Sequence, residues 1–194
     1  GKYGNIAVQT NVEDTRGGVD EYVISKLEVD IIERKWGQGA KAIGGEVRLK
    51  TLERAIELKK RGYLVLPDPL DPKVQEAFKA GAFKTFERHS RVGFPSHRTF
   101  VEDVEHLRES GAKYVFLKTG AYRPEVVAFT MKAASDAKVD LLTFDGAGGG
   151  TGMSPVPMMN EMSTPTVHLE AQVLLAASIL RKQGRFVPDI CFAG

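Results

Sequence analysis

The chain has 194 residues, 42% hydrophobic and 27% charged, with 27 basic against 25 acidic side chains and a formal charge of +2. That length fits one domain or a large piece of one, and the interleaving of the two signs excludes the concentrated basic footprint of a nucleic-acid binder. No apolar run reaches the length of a membrane span, and the N-terminus lacks the basic, apolar, small-residue order of a secretory signal; the expectation is a cytoplasmic protein with no membrane partner. A single cysteine, Cys191, excludes an intrachain disulfide or a cysteine-built metal site and reads as a core residue. The chain opens on Gly1 and stops at Cys191-Phe192-Ala193-Gly194, straight after a strand pattern, so both ends are expected to be cut.

In chain order, residues 6–10 read as a strand, 21–27 as a helix and 29–33 as the next strand, after which Gly37-Gln38-Gly39 opens a loop. Thr51 is placed to cap a helix with Leu52, Ala55, Ile56, Leu58 and Lys59 at helical spacing, and Gly62 closes it behind Lys59-Lys60-Arg61. Residues 63–66 form a buried strand ended by the proline-rich stretch 67–72, and 74–80 a short helix. Then follow a helix over 100–110, a strand over 114–118, a helix over 124–138 with Pro124 in its first turn, a strand over 141–144, a helix over 168–181 and a last strand over 188–192. Strands that alternate with helices, each too apolar for a wet face, predict an α/β protein with a parallel sheet covered by helices. Chemistry-bearing side chains fall at several strand carboxyl ends, which favours part of a (β/α)8 barrel of the TIM type over an open sheet.

Two of those strand ends carry glycine-rich loops. Five glycines lie within residues 146–152 of Asp145-Gly146-Ala147-Gly148-Gly149-Gly150-Thr151-Gly152-Met153-Ser154-Pro155, directly behind the apolar run 139–144. Without Cβ atoms such a loop presents backbone N–H groups to a phosphate or a flat, polar-edged cofactor; the alternative is a flexible linker. Asp145 either bonds a cofactor hydroxyl or caps the loop's own N–H groups. The second loop, residues 33–46, carries Arg34, Lys35 and Lys41 with Gln38. Its cations suit a carboxylate or phosphate, and Gln38 can donate and accept at a neutral edge; the alternative is a solvated basic turn. Lys118 ends a buried strand as a ligand's cation or as a snorkelling edge residue. His89, within Phe86-Glu87-Arg88-His89-Ser90-Arg91, reads either as part of an acid-base cluster or, in preference, as part of a surface salt-bridge network, and His97, His106 and His168 lack metal-ligand spacing.

Together the loops Lys35-Trp36-Gly37-Gln38-Gly39-Ala40-Lys41 and 145–155 resemble the flavin-binding synthase domain of the glutamate synthase family, with supporting similarity at Ala7-Val8-Gln9-Thr10, Phe116-Leu117-Lys118 and Phe192-Ala193-Gly194. The resemblance implies an FMN across a barrel mouth and reductive amination of 2-oxoglutarate to glutamate, with hydride delivered to C2 of the imine formed with ammonia. It assigns Lys35, Gln38 and Lys41 to the dicarboxylate and the catalytic site. Gln9, Lys118, Asp145, Gly146, Gly148, Gly149, Gly150, Thr151 and Gly194 fall to the cofactor, with Lys118 near the flavin's pyrimidine edge. It also implies an ammonia-supplying glutaminase subunit or domain, an electron-donor subunit, an oligomer, and any iron-sulfur cysteines beyond Gly194.

Ala42-Ile43 stands where the family has Pro-Gly-Glu, the proline-rich turn 67–72 lacks the family's histidines, and residues 88–96 read as an insertion. These departures keep open two further readings, the flavin subunit of an N-methylglutamate synthase acting on methylamine and glutamate, and a non-catalytic barrel fragment with a scaffold role. FMN barrels for isoprenyl diphosphates share the Gly-Gly-Thr element but not Gln38-Gly39-Ala40-Lys41. Lys41→Ala is expected to lower turnover more than flavin content. Gly149→Val is expected to abolish flavin retention, and flavin content equal to wild type in that variant overturns the loop assignment.

Overall fold

The computed structural model describes residues 4–11, 14–15, 17–36, 46–89, 96–147 and 163–194. In chain order the elements are β1 (Ala7–Asn11), α1 (Val19–Leu27), β2 (Ile31–Lys35), β3 (Glu46–Leu49), α2 (Leu52–Lys60), β4 (Leu64–Leu66), α3 (Pro72–Lys79), β5 (Phe86–His89), α4 (His97–Glu109), β6 (Tyr114–Thr119), α5 (Pro124–Asp136), β7 (Leu141–Asp145), α6 (Thr166–Lys182) and β8 (Asp189–Ala193). They fall into two compact units, Gly1–Ala42 with Pro95–Gly194, and Ile43–Phe94.

The larger unit is α/β. Its five parallel strands lie in the order β1-β2-β6-β7-β8, which never reverses along the chain. Right-handed crossovers that always step the same way leave their helices on one side of the sheet. The core agrees: Ile32, Val115, Leu117, Leu142 and Phe144 from the strands pack with Ile24 of α1, Phe100 and Leu107 of α4, Met131 of α5 and Leu169 and Val173 of α6. Those strand residues share one parity of the pairing register. The opposite parity carries Gln9, Glu33, Lys35, Phe116, Lys118, Leu141, Asp145 and Cys191, none of which joins that core. Among the described residues no helix of the larger unit packs its core on this second face, so the expectation of strands without a wet face is corrected. Each strand is apolar on average, but its polar residues alternate onto one side.

The covered face includes one cation. Arg34, 3% exposed, has its guanidinium 2.7 Å from Asp20 on α1 and 3.1 Å from Asp103 on α4. The Asp20 contact is a charge contact without hydrogen-bond alignment, whereas Arg34 Nη2 donates to Asp103 Oδ1. Burial raises the Asp103 carboxyl above its usual value against the pull of Arg34.

Local signals hold at most element ends. Thr51 accepts the Arg54 N–H at 3.4 Å as the cap of α2, Gly62 behind that helix has φ +91°, and Pro124 opens α5. Ser96 and Thr99 form a reciprocal capping box on α4. Strands β1 and β2 begin later than their apolar runs, by one and two residues, because pairing of Ala7 with Ile31 sets their start.

In the smaller unit β3, β5 and β4 form an antiparallel sheet in that order, packed on α2 through Leu49, Leu52, Ala55, Leu58, Val65 and Phe86, with the half-buried Val74 and Phe78 of α3 against that cluster. The strand expected over 63–66 is thus antiparallel, and only its Val65 is buried. Strands β3 and β5 were not foreseen, since Glu-Val-Arg-Leu alternates over only four residues and Phe-Glu-Arg-His has a single apolar residue. His89 lies at the end of β5, paired in register with Glu46 and Leu64.

Back in the larger unit, Asp136 ends α5 and gathers His97 Nε2 at 2.7 Å, Lys132 Nζ at 3.1 Å and the Arg185 guanidinium. Burial pushes this carboxyl up, but the hydrogen bonds from His97, Lys132 and Arg185 outweigh it and hold its pKa at about 2, below the ordinary 3.8. A depressed carboxylate pKa contributes stability that is complete above the unfolded value and is lost as pH falls through the folded one. Denaturant midpoints measured against pH are therefore expected to fall between about pH 4 and pH 2 in wild type, and to fall less over that window in Asp136→Asn.

Candidate functional site

Parallel pairing brings the candidate strand ends together on the open face. One row across the sheet reads Gln9, Glu33, Phe116, Leu141 and Asp189; the next, toward the carboxyl ends, reads Asn11, Lys35, Lys118, Thr143 and Cys191. Neighbours within a row are about 4.8 Å apart at the backbone and the rows about 6.6 Å apart. Beyond them Asp145 pairs with Ala193. Residues from positions 9, 35, 118 and 145 thus share one surface, although 136 positions separate the first from the last.

The electrostatics of that surface are partly internal. Lys118 Nζ lies 3.1 Å from Asp145 Oδ2, with the two side chains 20% and 14% exposed. Lys118 and Asp145 are thus partners, a contact that none of the sequence alternatives for either residue named. Lys35 is half-buried beside Lys118, whose carbonyl accepts the Trp36 N–H at 2.8 Å. Trp36 turns to the covered face and meets Phe100 edge-on with ring centroids 4.7 Å apart, which anchors the start of the second loop. In the row below, the Gln9 side-chain amide donates to Glu33 Oε1. Glu33 was not singled out from the sequence. Its signal was spacing, since it stands two residues before Lys35 on a strand and must share a face with it.

The glycines divide. Gly146 N–H donates to the Ala193 carbonyl at 2.6 Å, so that donor is spent within the sheet. A Cβ on Gly146 would lie 1.9 Å from Thr166 Oγ1, and one on Gly194 (φ +118°) would lie 2.9 Å from the Gly146 carbonyl oxygen. Glycine is required at both positions by the meeting of β7, β8 and the first turn of α6. Gln38, Lys41, Gly148, Gly149, Gly150 and Thr151 lie outside the described residues. The segment returning from the glycine loop is tied down by the Thr164 N–H to Ala121 O at 3.1 Å and by Thr164 Oγ1 to Tyr122 O at 3.1 Å. Ser163 beside it is 9% exposed, and its hydroxyl has no partner among the described residues.

Cys191 is exposed, not in the core as expected, because it points to the open face from the edge strand β8. His97 and His106 are engaged with Asp136 and Glu21. The hydrogen bond from His106 is the main reason the Glu21 carboxyl lies below its usual value. A cavity of about 440 Å³ opens at the amino ends of β6 to β8, lined by Tyr114, Phe116, Asp140, Leu141, Phe186, Val187 and Asp189. It holds two carboxylates and no cation, so anion chemistry belongs to the Lys35 and Lys118 row instead. Among the described residues no cluster of His, Cys, Asp and Glu is placed to hold a metal ion, and no helix is long and apolar enough to cross a membrane.

No protein-family model matches the chain, and no curated protein matches it.

The contact between Gly146 and Thr166 gives a direct check. Gly146→Ala is expected to lower stability by about 1–3 kcal/mol through overpacking. Thr166→Ala should recover part of that loss, which a double-mutant cycle by chemical denaturation measures as a coupling.

Proposed function

We propose that this chain carries the FMN-dependent synthase site of a glutamate synthase-like enzyme, on a wall that forms part of a (β/α)8 barrel. The observation that carries the reading is the juxtaposition of Gln9, Lys35, Lys118 and Asp145 toward the carboxyl ends of parallel strands, on the face opposite the one the larger unit's described helices pack against. Enzymes with parallel barrels place their chemistry at that end, and the unreversed strand order is the winding that such barrels need. Both glycine-rich loops leave from this end, one behind Lys35 and one behind Asp145.

The donor set fits a flavin. It offers a carboxamide, a cation already oriented by a carboxylate, and an orphaned buried hydroxyl at Ser163, against the polar edge and tail of such a cofactor. FMN, when bound, supplies the hydride that reduces the substrate imine at C2. The chain's own residues bind and orient. Lys35 supplies positive charge for a substrate carboxylate, with Gln38 and Lys41 completing the dicarboxylate site from the adjoining loop. Lys118 keeps its ammonium at a fixed position because Asp145 holds it, so orientation is set before substrate arrives. Ammonia comes from a glutaminase partner and electrons from a donor subunit, in a cytoplasmic assembly.

An absorbance spectrum of the purified protein, followed by titration with 2-oxoglutarate, tests this reading. Flavin bands that shift on adding the dicarboxylate are expected, with the titration midpoint raised about tenfold or more in Lys35→Ala, as the loss of a charge-assisted hydrogen bond implies. A flavin-free protein that cannot be reconstituted with FMN overturns the proposal and leaves the scaffold reading.

A further inference from the structure

Glu33 is a charged group of the open face, one row from Lys35 and Lys118, that the proposed site leaves without a task. It sits in the middle of a parallel sheet, with Gln9 on one side and Phe116 on the other in register, and the buried Ile31 precedes it on the same face. A half-buried carboxylate next to an aromatic ring loses hydration, and a folded chain keeps one there at a cost unless a cation or donor meets it. The neighbouring cations are engaged elsewhere. Arg34 points to the opposite face and is held by Asp20 and Asp103, while Lys118 is held by Asp145 one row higher. The described partner of Glu33 is a neutral amide, from Gln9, on one of its two oxygens. Lys35 is two residues along the same strand, about 6.6 Å away at the backbone, a spacing that matches the length of a small substrate between them.

We infer that Glu33 is the ammonium site of this enzyme and the group that carries its proton, taking a small ammonium-type cation, either ammonium or methylammonium. The inference rests on the reductive-amination reading and deepens it by assigning the second substrate. An anion held at Lys35 and a cation held at Glu33 place amine nitrogen and ketone carbon on the same face, between adjacent rows. The Glu33 carboxylate takes a proton from ammonium, giving ammonia and a neutral carboxyl. Ammonia adds to C2 of the 2-oxo acid, forming the C–N bond, and a proton passes from nitrogen to the former carbonyl oxygen. The carboxyl then returns its proton as that oxygen leaves as water, the C–O bond breaks, and the nitrogen lone pair closes the iminium. The sum is ammonium plus ketone giving iminium plus water, with Glu33 regenerated and no change of oxidation state. The Gln9 amide holds one carboxylate oxygen and leaves the other toward the substrate, so Gln9 acts as a positioning residue.

Calorimetric titration of 2-oxoglutarate into the flavin-free protein, with and without ammonium chloride and against sodium chloride at equal ionic strength, separates the claims. Wild type is expected to bind 2-oxoglutarate about tenfold more tightly with ammonium present, within the usual span of coupling between two ligands. Glu33→Gln, which keeps the shape and the Gln9 contact, is expected to bind 2-oxoglutarate at least as tightly without ammonium and to lose the enhancement. An enhancement that survives Glu33→Gln, or none in a wild type that does bind 2-oxoglutarate, overturns the Glu33 assignment and leaves the synthase reading standing. A wild type that does not bind 2-oxoglutarate overturns both. Methylammonium in place of ammonium decides the amine: a larger enhancement with methylammonium makes the site one for a primary alkylamine, and a smaller one makes it a site for ammonia.

Discussion

The burial of Arg34 between Asp20 and Asp103 decides which way β2 faces, and the candidate site depends on that choice. A strand alternates its side chains, so a slip of one residue would place Arg34 on the open face and drive Glu33 and Lys35 into the apolar core. With two carboxylates waiting on α1 and α4, the observed register gives the buried Arg34 its partners. Removing one partner of such a buried group typically costs about 3–5 kcal/mol, because the remaining charge is stranded. That is enough to fix the register against the alternative, and β1 and β6 follow through their pairing with β2.

Once β2 is set, the rest of the larger unit follows from winding. Crossovers of one hand and one direction cover a single face with α1, α4, α5 and α6, and the uncovered face collects the polar residues of five strands. The two faces obey different rules. On the covered side apolar volume is packed, and the single cation there is neutralised on the spot. On the open side charge is arranged in rows, with Lys35 and Lys118 adjacent, Asp145 paired with Lys118 and Glu33 a row below. Like charges on neighbouring strands repel at this distance, so the Asp145 contact also makes the pair of lysines tolerable before any anion arrives.

The glycine positions show two uses of the same residue. Gly146 and Gly194 are small because backbones and the Thr166 side chain meet there, whereas the glycines from Gly148 onward belong to a loop whose purpose was argued from its composition. A glycine-rich motif read as a single ligand cradle therefore contains at least one member that serves packing, and only atomic positions distinguish them.

Much of the fold was legible in the chain. The alternation of apolar runs with capped helices was enough for a parallel α/β class, and Thr51, Gly62 and Pro124 marked helix ends by local chemistry that needs no tertiary partner. The candidate residues Gln9, Lys35, Lys118 and Asp145 were also accessible, since each ends a recognisable strand. Other features were decided only by folding. Whether four such ends meet depends on strand order, and the pairing of Lys118 with Asp145 depends on the register between β6 and β7. The strands β3 and β5 were hidden because each is four residues long and carries at most two apolar groups, too little for a pattern, and β4 turned antiparallel in their company. Cys191 was misplaced for the same reason: its hydrophobicity is its own, but its exposure comes from lying at a sheet edge with no helix opposite. Local sequence determines which segments become strands and helices because capping and periodicity act within a few residues. Contacts between residues far apart in the chain decide what those strands bring together, because ion pairs and sheet register close only when the chain has folded.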